Sequence, residues 1–263
     1  MAERTLEIDR AGAVVRVWMN RPAVHNALNE EMIDELAEEF LSLGEDASVR
    51  VIVLSGRGKS FSAGGDIDYM RRQGAAPRES NLATARGLAQ MFRIIALAPK
   101  PTIARVNGAA MGGGLGLVAA CDIAIASNSA VFAASEVRLG LIPATIAPYV
   151  LRAIGERQAR RMFQTGERID AAHAQRIGLV HETSEPEQLD SRLQLIIDNL
   201  LAGAPAAQSA AKDFIEALAN RSITREVMEE TAIRIADRRA DPEAFEGLSA
   251  FLEKRPPDWV PHK

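Results

Sequence analysis

The amino-acid sequence predicts an α/β protein with an alternating core over residues 1–186 and a helical region over residues 187–263. Two observations carry this prediction. In the first region, β-rich runs are followed by glycine-rich loops and then by helical patterns, and this order recurs. After residue 186, helical patterns follow one another with no β-rich run between them. A chain of 263 residues, 47% of them hydrophobic, is long enough for a large domain with such an appendage.

The elements of the core follow in order from the N-terminus. Residues 5–8 and 14–19 are β-rich and flank the turn-like Arg10–Gly12, which predicts a hairpin. Asn29 is a suitable N-cap for the next helix, and Gly44 is a suitable end for it. The remaining predictions are strands at 51–55, 102–106, 123–126 and 131–133, helices at 81–98, 115–120, 147–154 and 158–164, and a segment at 177–180 that closes the sheet.

Four helical patterns make up the C-terminal region, at residues 189–201, 206–220, 224–240 and 245–254. They carry more apolar residues than a lid alone needs, among them Phe214, Ile215, Leu218, Val227, Ile233 and Ile235. Covering a site and packing against other subunits are the two uses that this composition suggests.

Composition and charge disfavour several classes of protein. A net charge of −4 gives no broad electrostatic reason to bind nucleic acid or an anionic membrane. The single cysteine, Cys121, excludes an intramolecular disulfide and a cysteine-based metal site. The four histidines (His25, His173, His181 and His262) lack ligand-like spacing. Neither a signal peptide nor an apolar stretch of about 18 residues is recognisable, so we expect a metal-free cytoplasmic protein.

Two glycine-rich loops each follow a predicted strand. The first, Lys59–Asp66, reads KSFSAGGD, and the second, Asn107–Gly114, reads NGAAMGGG. Glycines let the main chain approach a ligand closely, and free N–H groups at a helix start favour negative charge. Two such loops could each aim one N–H at a single carbonyl oxygen and so form an oxyanion hole. Tight turns or close helix packing are the alternative interpretation. Neither loop fits a Walker A or a dinucleotide-binding pattern.

Further motifs surround these loops in a fixed order along nearly the whole chain. They are Arg21-Pro22, Asn26–Leu28, Ser62–Asp66, Asn107–Gly114, Ala120–Ile123, Ser135-Glu136, Gly140–Pro143, Gly166–Ala171, Gly178–Val180 and Ala250–Arg255. As an ordered set they resemble the crotonase (enoyl-CoA hydratase/isomerase) superfamily. The resemblance implies a spiral of ββα units, C-terminal helices that build a homotrimer or a hexamer of paired trimers, and acyl-coenzyme A substrates. Coenzyme A would be part of the substrate, so no separate cofactor is expected.

The resemblance also implies roles for particular residues. The oxyanion hole would be the backbone N–H groups of Ala63 and Gly113. Lys254 would reach the CoA phosphates from a neighbouring subunit, whereas Ala23 stands where such proteins often carry a phosphate-binding lysine. The other residues expected to bind the substrate are Ser62, Gly64, Gly65, Asp66, Gly112 and Gly116.

Two glutamates normally define a hydratase of this superfamily, and only one of them is present. The first position is Gly116, and the second is Glu136. The sequence around them is similar to the bacterial methylglutaconyl-CoA hydratase branch. Glycine in place of glutamate is expected to leave room for a branched acyl group, and it removes like-charge repulsion against a substrate that carries its own carboxylate.

Glu136 is the predicted catalytic residue. Its neighbours in the chain are small or apolar, a setting that raises the pKa of a carboxyl group and lets it move a proton or activate water. The alternative is a structural ion pair with Arg138 or Arg105. Asp66 and Asp68 are candidate helpers, although capping the following helix is a simpler role for them.

The leading functional prediction is hydration of an α,β-unsaturated acyl-CoA by a lyase. An isomerase that shifts the double bond with Glu136 alone, or a decarboxylase or thioesterase on the same fold, are the enzymatic alternatives. A scaffold or RNA-binding protein that has lost its chemistry is the non-enzymatic alternative. The two loops, Glu136 and the lack of a basic run disfavour it.

Overall fold

The computed structural model describes residues 4–260. The strands are β1 (Leu6–Ala11), β2 (Val14–Met19), β3 (Val51–Gly56), β4 (Ser60–Ser62), β5 (Thr102–Val106), β6 (Ala109–Met111), β7 (Ile123–Ser127), β8 (Val131–Ala133), β9 (Ile169–Asp170) and β10 (Glu182–Ser184). The α-helices are α1 (Glu30–Glu45), α2 (Ile67–Ala75), α3 (Arg78–Ala96), α4 (Gly113–Ala120), α5 (Ala147–Thr165), α6 (Ala171–Arg176), α7 (Leu189–Ala202), α8 (Pro205–Leu218), α9 (Arg225–Arg239) and α10 (Pro242–Glu253). His262 lies outside the described residues.

The strands form two sheets that the chain visits in turn. The larger sheet has the order β1-β2-β3-β5-β7-β10, and the smaller has the order β4-β6-β8-β9. The β1-β2 hairpin and the β8-β9 pair are antiparallel, and all other pairs are parallel. The consecutive pairs β3-β4, β5-β6 and β7-β8 each give one strand to each sheet before a helix returns the chain. This repeat is a spiral of ββα units, so the predicted fold class is confirmed.

The larger sheet is buried on both faces at its central strand β3. In β3 the side chains of Ile52 and Leu54 pack into the main core, with α1 and α3, whereas Val51 and Val53 pack against α7. Successive residues of a strand point to opposite faces, so a strand covered on both sides reads as a continuous apolar run. The sequence VIVLSG of β3 has this pattern, and all six of its residues are buried.

The region after residue 186 contains two kinds of helix. Helix α7 buries Leu189, Leu193 and Ile197 against the larger sheet. Helices α8, α9 and α10 bury few side chains: Val227 and Ala250 are the fully buried residues that they contribute within the described chain. The predicted boundary between a core ending at residue 186 and a separate helical region stays a prediction. Helix α7 follows that boundary in sequence but packs against the larger sheet of the core. No helix within residues 4–260 combines the length and apolarity needed to cross a bilayer.

The structure differs from the sequence predictions where tertiary pairing decides the conformation. Each glycine-rich loop begins with a short strand, β4 or β6, and these two strands pair with each other. By contrast, the two helices predicted at 147–154 and 158–164 are confirmed: they are the two parts of α5, divided at Gly155, whose φ of 73° and ψ of 164° are not helical. The closing strand is β10, paired with β7, rather than residues 177–180.

Candidate active site

Three neighbouring parallel strands of the smaller sheet end at the same edge. Strand β4 leads into Ala63–Gly65, β6 into Gly112 and Gly113, and β8 into the short 3-10 turn that begins at Glu136. Because parallel strands bring their carboxyl ends together, segments far apart in sequence meet here. The fold therefore unites both glycine loops with Glu136.

These segments line a pocket of about 370 Å³, which we call the loop pocket. Its polar side chains are Tyr69, Ser135, Glu136 and Thr145. Within the described chain, no lysine, arginine or histidine lines it. The other lining residues are Leu28, Ile33, Ala63, Gly64, Gly65, Ile67, Met70, Leu88, Gly112, Gly113, Leu139, Leu141, Ile142, Pro143 and Ile146. The pocket suits an apolar molecule that presents its polar group to the two loops and to Glu136.

The first glycine loop is held by buried side chains rather than by solvent contacts. Asn26 is fully buried, and its Nδ2 donates to the carbonyl oxygens of Ser60 and Phe61 at 2.9 and 3.1 Å. The Ser62 hydroxyl donates to the Asn26 carbonyl at 2.8 Å and accepts from the Gly64 N–H at 3.2 Å. Ser62, which we expected to bind the substrate, is therefore turned inward and supports the loop.

Replacing Asn26 by aspartate is expected to destabilise the protein by about 2–4 kcal/mol. The change turns a buried donor into an acceptor that faces carbonyl oxygens, and buried polar groups without partners are costly. Urea unfolding measures the effect. Asn29→Ala is the control, because it removes only the N-cap hydrogen bond to Met32, 3.1 Å long, which is worth about 1 kcal/mol. An effect of Asn26→Asp no larger than that of the control would contradict the role given to Asn26.

The structure contradicts one of the two predicted oxyanion donors. The N–H of Ala63 donates to the carbonyl oxygen of His25 at 2.8 Å, so it is not free to bind a ligand. The N–H groups of Gly65 and Gly113 have no hydrogen-bond partner within the described residues. A β-carbon built on Gly113 would lie 3.9 Å from the Gly65 nitrogen, so the two N–H groups are close together. Gly65 and Gly113 are therefore the pair that geometry offers to a carbonyl oxygen.

Glycine is required where the two loops touch. Gly64 has a φ of +92°, and a β-carbon there would lie 2.7 Å from the Met111 carbonyl oxygen. Gly112 has a φ of +48°, and a β-carbon there would lie 3.1 Å from Glu136 Oε1. L-residues rarely adopt positive φ, and the backbone contact at Gly64 leaves no room for a side chain, whereas at Gly112 Glu136 would have to move slightly. The glycines thus bring both main chains and the carboxylate into contact.

Glu136 combines burial with an unsatisfied carboxylate oxygen. Its Oε2 is buried and has no hydrogen-bond partner in the described chain. Burial raises the pKa of Glu136 above its ordinary value of 4.5, and a hydrogen bond from its own backbone N–H opposes this only in part. Arg105 pairs instead with Asp190, at 2.8 Å. Glu136 forms no ion pair with Arg138 or any other described residue, so the alternative of a structural ion pair is wrong.

The candidate helpers of Glu136 have other contacts. Asp66 caps α2 by accepting from the Tyr69 N–H at 3.1 Å, and it pairs with Arg21 at 3.1 Å. Although burial acts to raise the pKa of Asp66, these hydrogen bonds and the charge of Arg21 lower it overall. Asp68 is exposed and pairs with Arg71. Capping, the simpler role, is the one that Asp66 has in the fold.

Two further residues predicted to bind the substrate lie outside the loop pocket. Lys254 is exposed at the end of α10, in a left-handed conformation. Gly116 is buried in α4, where a β-carbon would lie 2.8 Å from Ile146 Cβ and 2.9 Å from Phe92 Cε1. The expectation that glycine leaves room there for a branched acyl group is therefore wrong, because Ile146 and Phe92 fill that space.

Sequence reasoning missed several residues of the pocket. Gly65 was expected to bind the substrate, but its role as a donor was missed, because nothing in the sequence distinguishes its N–H from that of Ala63. Thr145 and Ile146 come from the segment before α5, and no role in the pocket was expected for them. Leu141 and Ile142, 46% and 75% exposed, form an apolar rim that only the fold places opposite the loops. Among residues 4–260, no three histidine, cysteine, aspartate or glutamate side chains are grouped so that they could hold a metal ion.

Comparison with known proteins identifies the family of this chain. The family description "Enoyl-CoA hydratase/isomerase" matches residues 9–262. The crystal structure of an enoyl-CoA hydratase from Shewanella pealeana ATCC 700345 is 41% identical with a TM-score of 0.94, covering 97% of this chain and 96% of that one. The crotonyl-CoA hydratase of Syntrophomonas wolfei is 32% identical over 99% of each chain, and the short-chain-enoyl-CoA hydratase of Clostridium acetobutylicum is 34% identical over 94% of each. The chain is an enzyme of the enoyl-CoA hydratase/isomerase family.

Proposed function

We propose that the protein adds water to the double bond of an α,β-unsaturated acyl-CoA thioester, with Glu136 as its only acid–base side chain. The observation that carries the proposal is the position of Glu136: its carboxylate lies against Gly112, beside two free N–H groups, with a raised pKa and an oxygen that has no partner. A buried carboxylate of this kind is suited to moving protons.

The proposed reaction begins with the thioester oxygen between the N–H groups of Gly65 and Gly113. Water attacks the β-carbon as Glu136 takes its proton, and the π electrons move onto the thioester oxygen as an enolate. Each N–H donor that meets this developing charge is worth about 3–4 kcal/mol of transition-state stabilisation. Glu136 then returns the proton to the α-carbon. The water is fully accounted for: OH on the β-carbon and H on the α-carbon.

A water molecule also needs a second group to hold it. Ser135 and Thr145 are the hydroxyl side chains that line the loop pocket, apart from Tyr69. Neither hydroxyl has a hydrogen-bond partner within the described residues. We propose that one of them orients the attacking water beside Glu136.

We propose an apolar, short acyl group rather than the branched, carboxylate-bearing one that the methylglutaconyl-type resemblance favours. The space expected at Gly116 is filled, and no cationic side chain of the described residues lines the pocket to meet a distal carboxylate. The named activities of the relatives from Syntrophomonas wolfei and Clostridium acetobutylicum, crotonyl and short-chain, support the same choice. A higher kcat/KM for a methylglutaconyl-CoA than for crotonyl-CoA would overturn it.

A second candidate reaction is the shift of a double bond between the α,β and β,γ positions. One observation favours it: Glu136 is the only carboxylate among the described residues that line the pocket, and one carboxylate suffices to carry a proton between the α- and γ-carbons. Incubation with 2-enoyl- and 3-enoyl-CoA distinguishes the two. Hydration consumes the conjugated enone absorbance and adds the mass of water, whereas isomerisation of a 3-enoyl-CoA creates that absorbance without a mass change.

We also propose that the C-terminal helices join copies of this chain into a trimer or a hexamer. The exposed apolar side chains of α8 and α10 support this, since monomers rarely leave so many uncovered. They are Ile215, Phe245, Leu248, Phe251 and Leu252, each at least 60% exposed. Two grooves of about 580 and 780 Å³ run along α8. Sedimentation at micromolar concentration is expected to give three or six times the 28.4 kDa chain mass, and a stable monomer would contradict the proposal.

A further inference from the structure

Ile146 lies between the loop pocket and the buried residues Gly116 and Phe92. Ile146 lines the pocket and is only 2% exposed. Gly116 and Phe92, which lie directly behind it, do not line the pocket. The sec-butyl side chain of Ile146 therefore separates the pocket from a fully buried region around Phe92 and α4.

Helix geometry indicates that this wall faces the far end of the acyl group. Gly116 lies three residues after Gly113 in α4, about 4.5 Å further along the helix and on a similar side of it. The thioester carbonyl, held at the N–H of Gly113, would place the following carbons along this face. Ile146 stands where that path meets the core.

We propose that Ile146 sets the upper limit of acyl-chain length by closing the pocket against Gly116 and Phe92. This rests on the proposed binding of an acyl-CoA at Gly65 and Gly113, but not on which reaction follows. Replacing Ile146 by a smaller residue frees the volume that its outer carbons occupy, and this volume becomes part of the pocket. The new space is bounded by Phe92, Gly116 and apolar neighbours, and an apolar cavity of this kind takes hydrocarbon rather than water.

The test compares the parent with Ile146→Ala across two series of increasing chain length. Saturated acyl-CoAs report binding by calorimetry without any turnover, and 2-enoyl-CoAs report kcat/KM. The parent is expected to lose affinity beyond a limiting length. Ile146→Ala is expected to move that limit by about two carbons and to change the kcat/KM ratio of the longer to the shorter chain by about tenfold or more in favour of the longer.

Two variants guard against a general loss of structure. Ile146→Val removes a single carbon and is expected to shift the profile in the same direction by less. Ile154→Ala, in the helix α5 that follows Ile146, removes a buried isoleucine that does not line the pocket, and is expected to leave the profile unchanged. An unchanged limit in Ile146→Val and Ile146→Ala, an equal loss at all lengths, or a parent without any limit would each overturn the inference. A shifted binding limit in the absence of hydration would support it and would instead refute the proposed hydratase reaction.

Discussion

Replacement of Glu136 by glutamine is expected to lower turnover by at least about 100-fold while leaving the fold intact. Proton transfer by a positioned side chain contributes about 10²–10⁴-fold, and glutamine keeps the shape of glutamate without its proton chemistry. No other ionisable carboxylate of the described chain lines the pocket to take over. Turnover of a verified substrate, with circular dichroism as the check on folding, measures the effect.

Glu156→Gln is the matched control for this experiment. Glu156 is exposed on α5, where it pairs with Arg160, and exposed pairs contribute little to stability. Its replacement should leave turnover within a few-fold of the parent. If Glu136→Gln also retained turnover within a few-fold of the parent, Glu136 would have no part in the mechanism.

The same residue predicts two pH effects. Burial raises the pKa of Glu136 above 4.5, and water activation needs the ionised form, so the acid limb of kcat should lie above that value. For stability, a raised carboxyl pKa favours the folded state most below the unfolded pKa. The advantage is lost as pH rises through the folded pKa, where the buried group must ionise. The free energy of unfolding of Glu136→Gln, minus that of the parent, should therefore be more favourable to the variant at pH 8 than at pH 4. Equal differences at both pH values would show that burial does not perturb Glu136.

Gly116→Ala is expected to destabilise the protein by about 1–3 kcal/mol, although alanine normally strengthens a helix. The added methyl group would lie 2.8 Å from Ile146 Cβ and 2.9 Å from Phe92 Cε1 in a close-packed core, and overpacking has a cost of this size. Gly116→Glu should be worse, since it would also bury a carboxylate among apolar side chains. Chemical denaturation compares the free energies of unfolding.

Gly87→Ala is the matched control, with an effect of opposite sign. Gly87 lies inside α3, and a β-carbon there would meet nothing within 4 Å. Alanine at an unstrained helical glycine stabilises by about 0.4–1 kcal/mol. The double variant Gly116→Ala with Ile146→Ala should be less destabilised than the sum of its single variants, because the shortened side chain relieves the clash. A stabilising Gly116→Ala, or strict additivity in the double variant, would show that the space is not filled as described.

The sequence alone determined the order of the larger elements, the presence of the two glycine loops and the apolar setting of Glu136, whereas the resemblance to the crotonase superfamily joined Glu136 to those loops. Local signals suffice for the elements and for the setting of Glu136. The continuous apolar run of β3 gives a buried parallel strand, and Asn29 caps α1 as its residue type predicts. These are properties of neighbours in sequence, so no knowledge of the fold is needed to find them.

Only the tertiary structure decided which atoms of those motifs are available. Ala63 and Gly65 look alike in sequence as donors, but the His25 carbonyl, brought across from the segment before α1, occupies the N–H of Ala63. Likewise, Gly116 suggested an empty space until α3 and the start of α5 placed Phe92 and Ile146 against it. Hydrogen-bond partners and side-chain volumes come from segments distant in sequence, and a free donor or a vacant space exists only after all of them have packed.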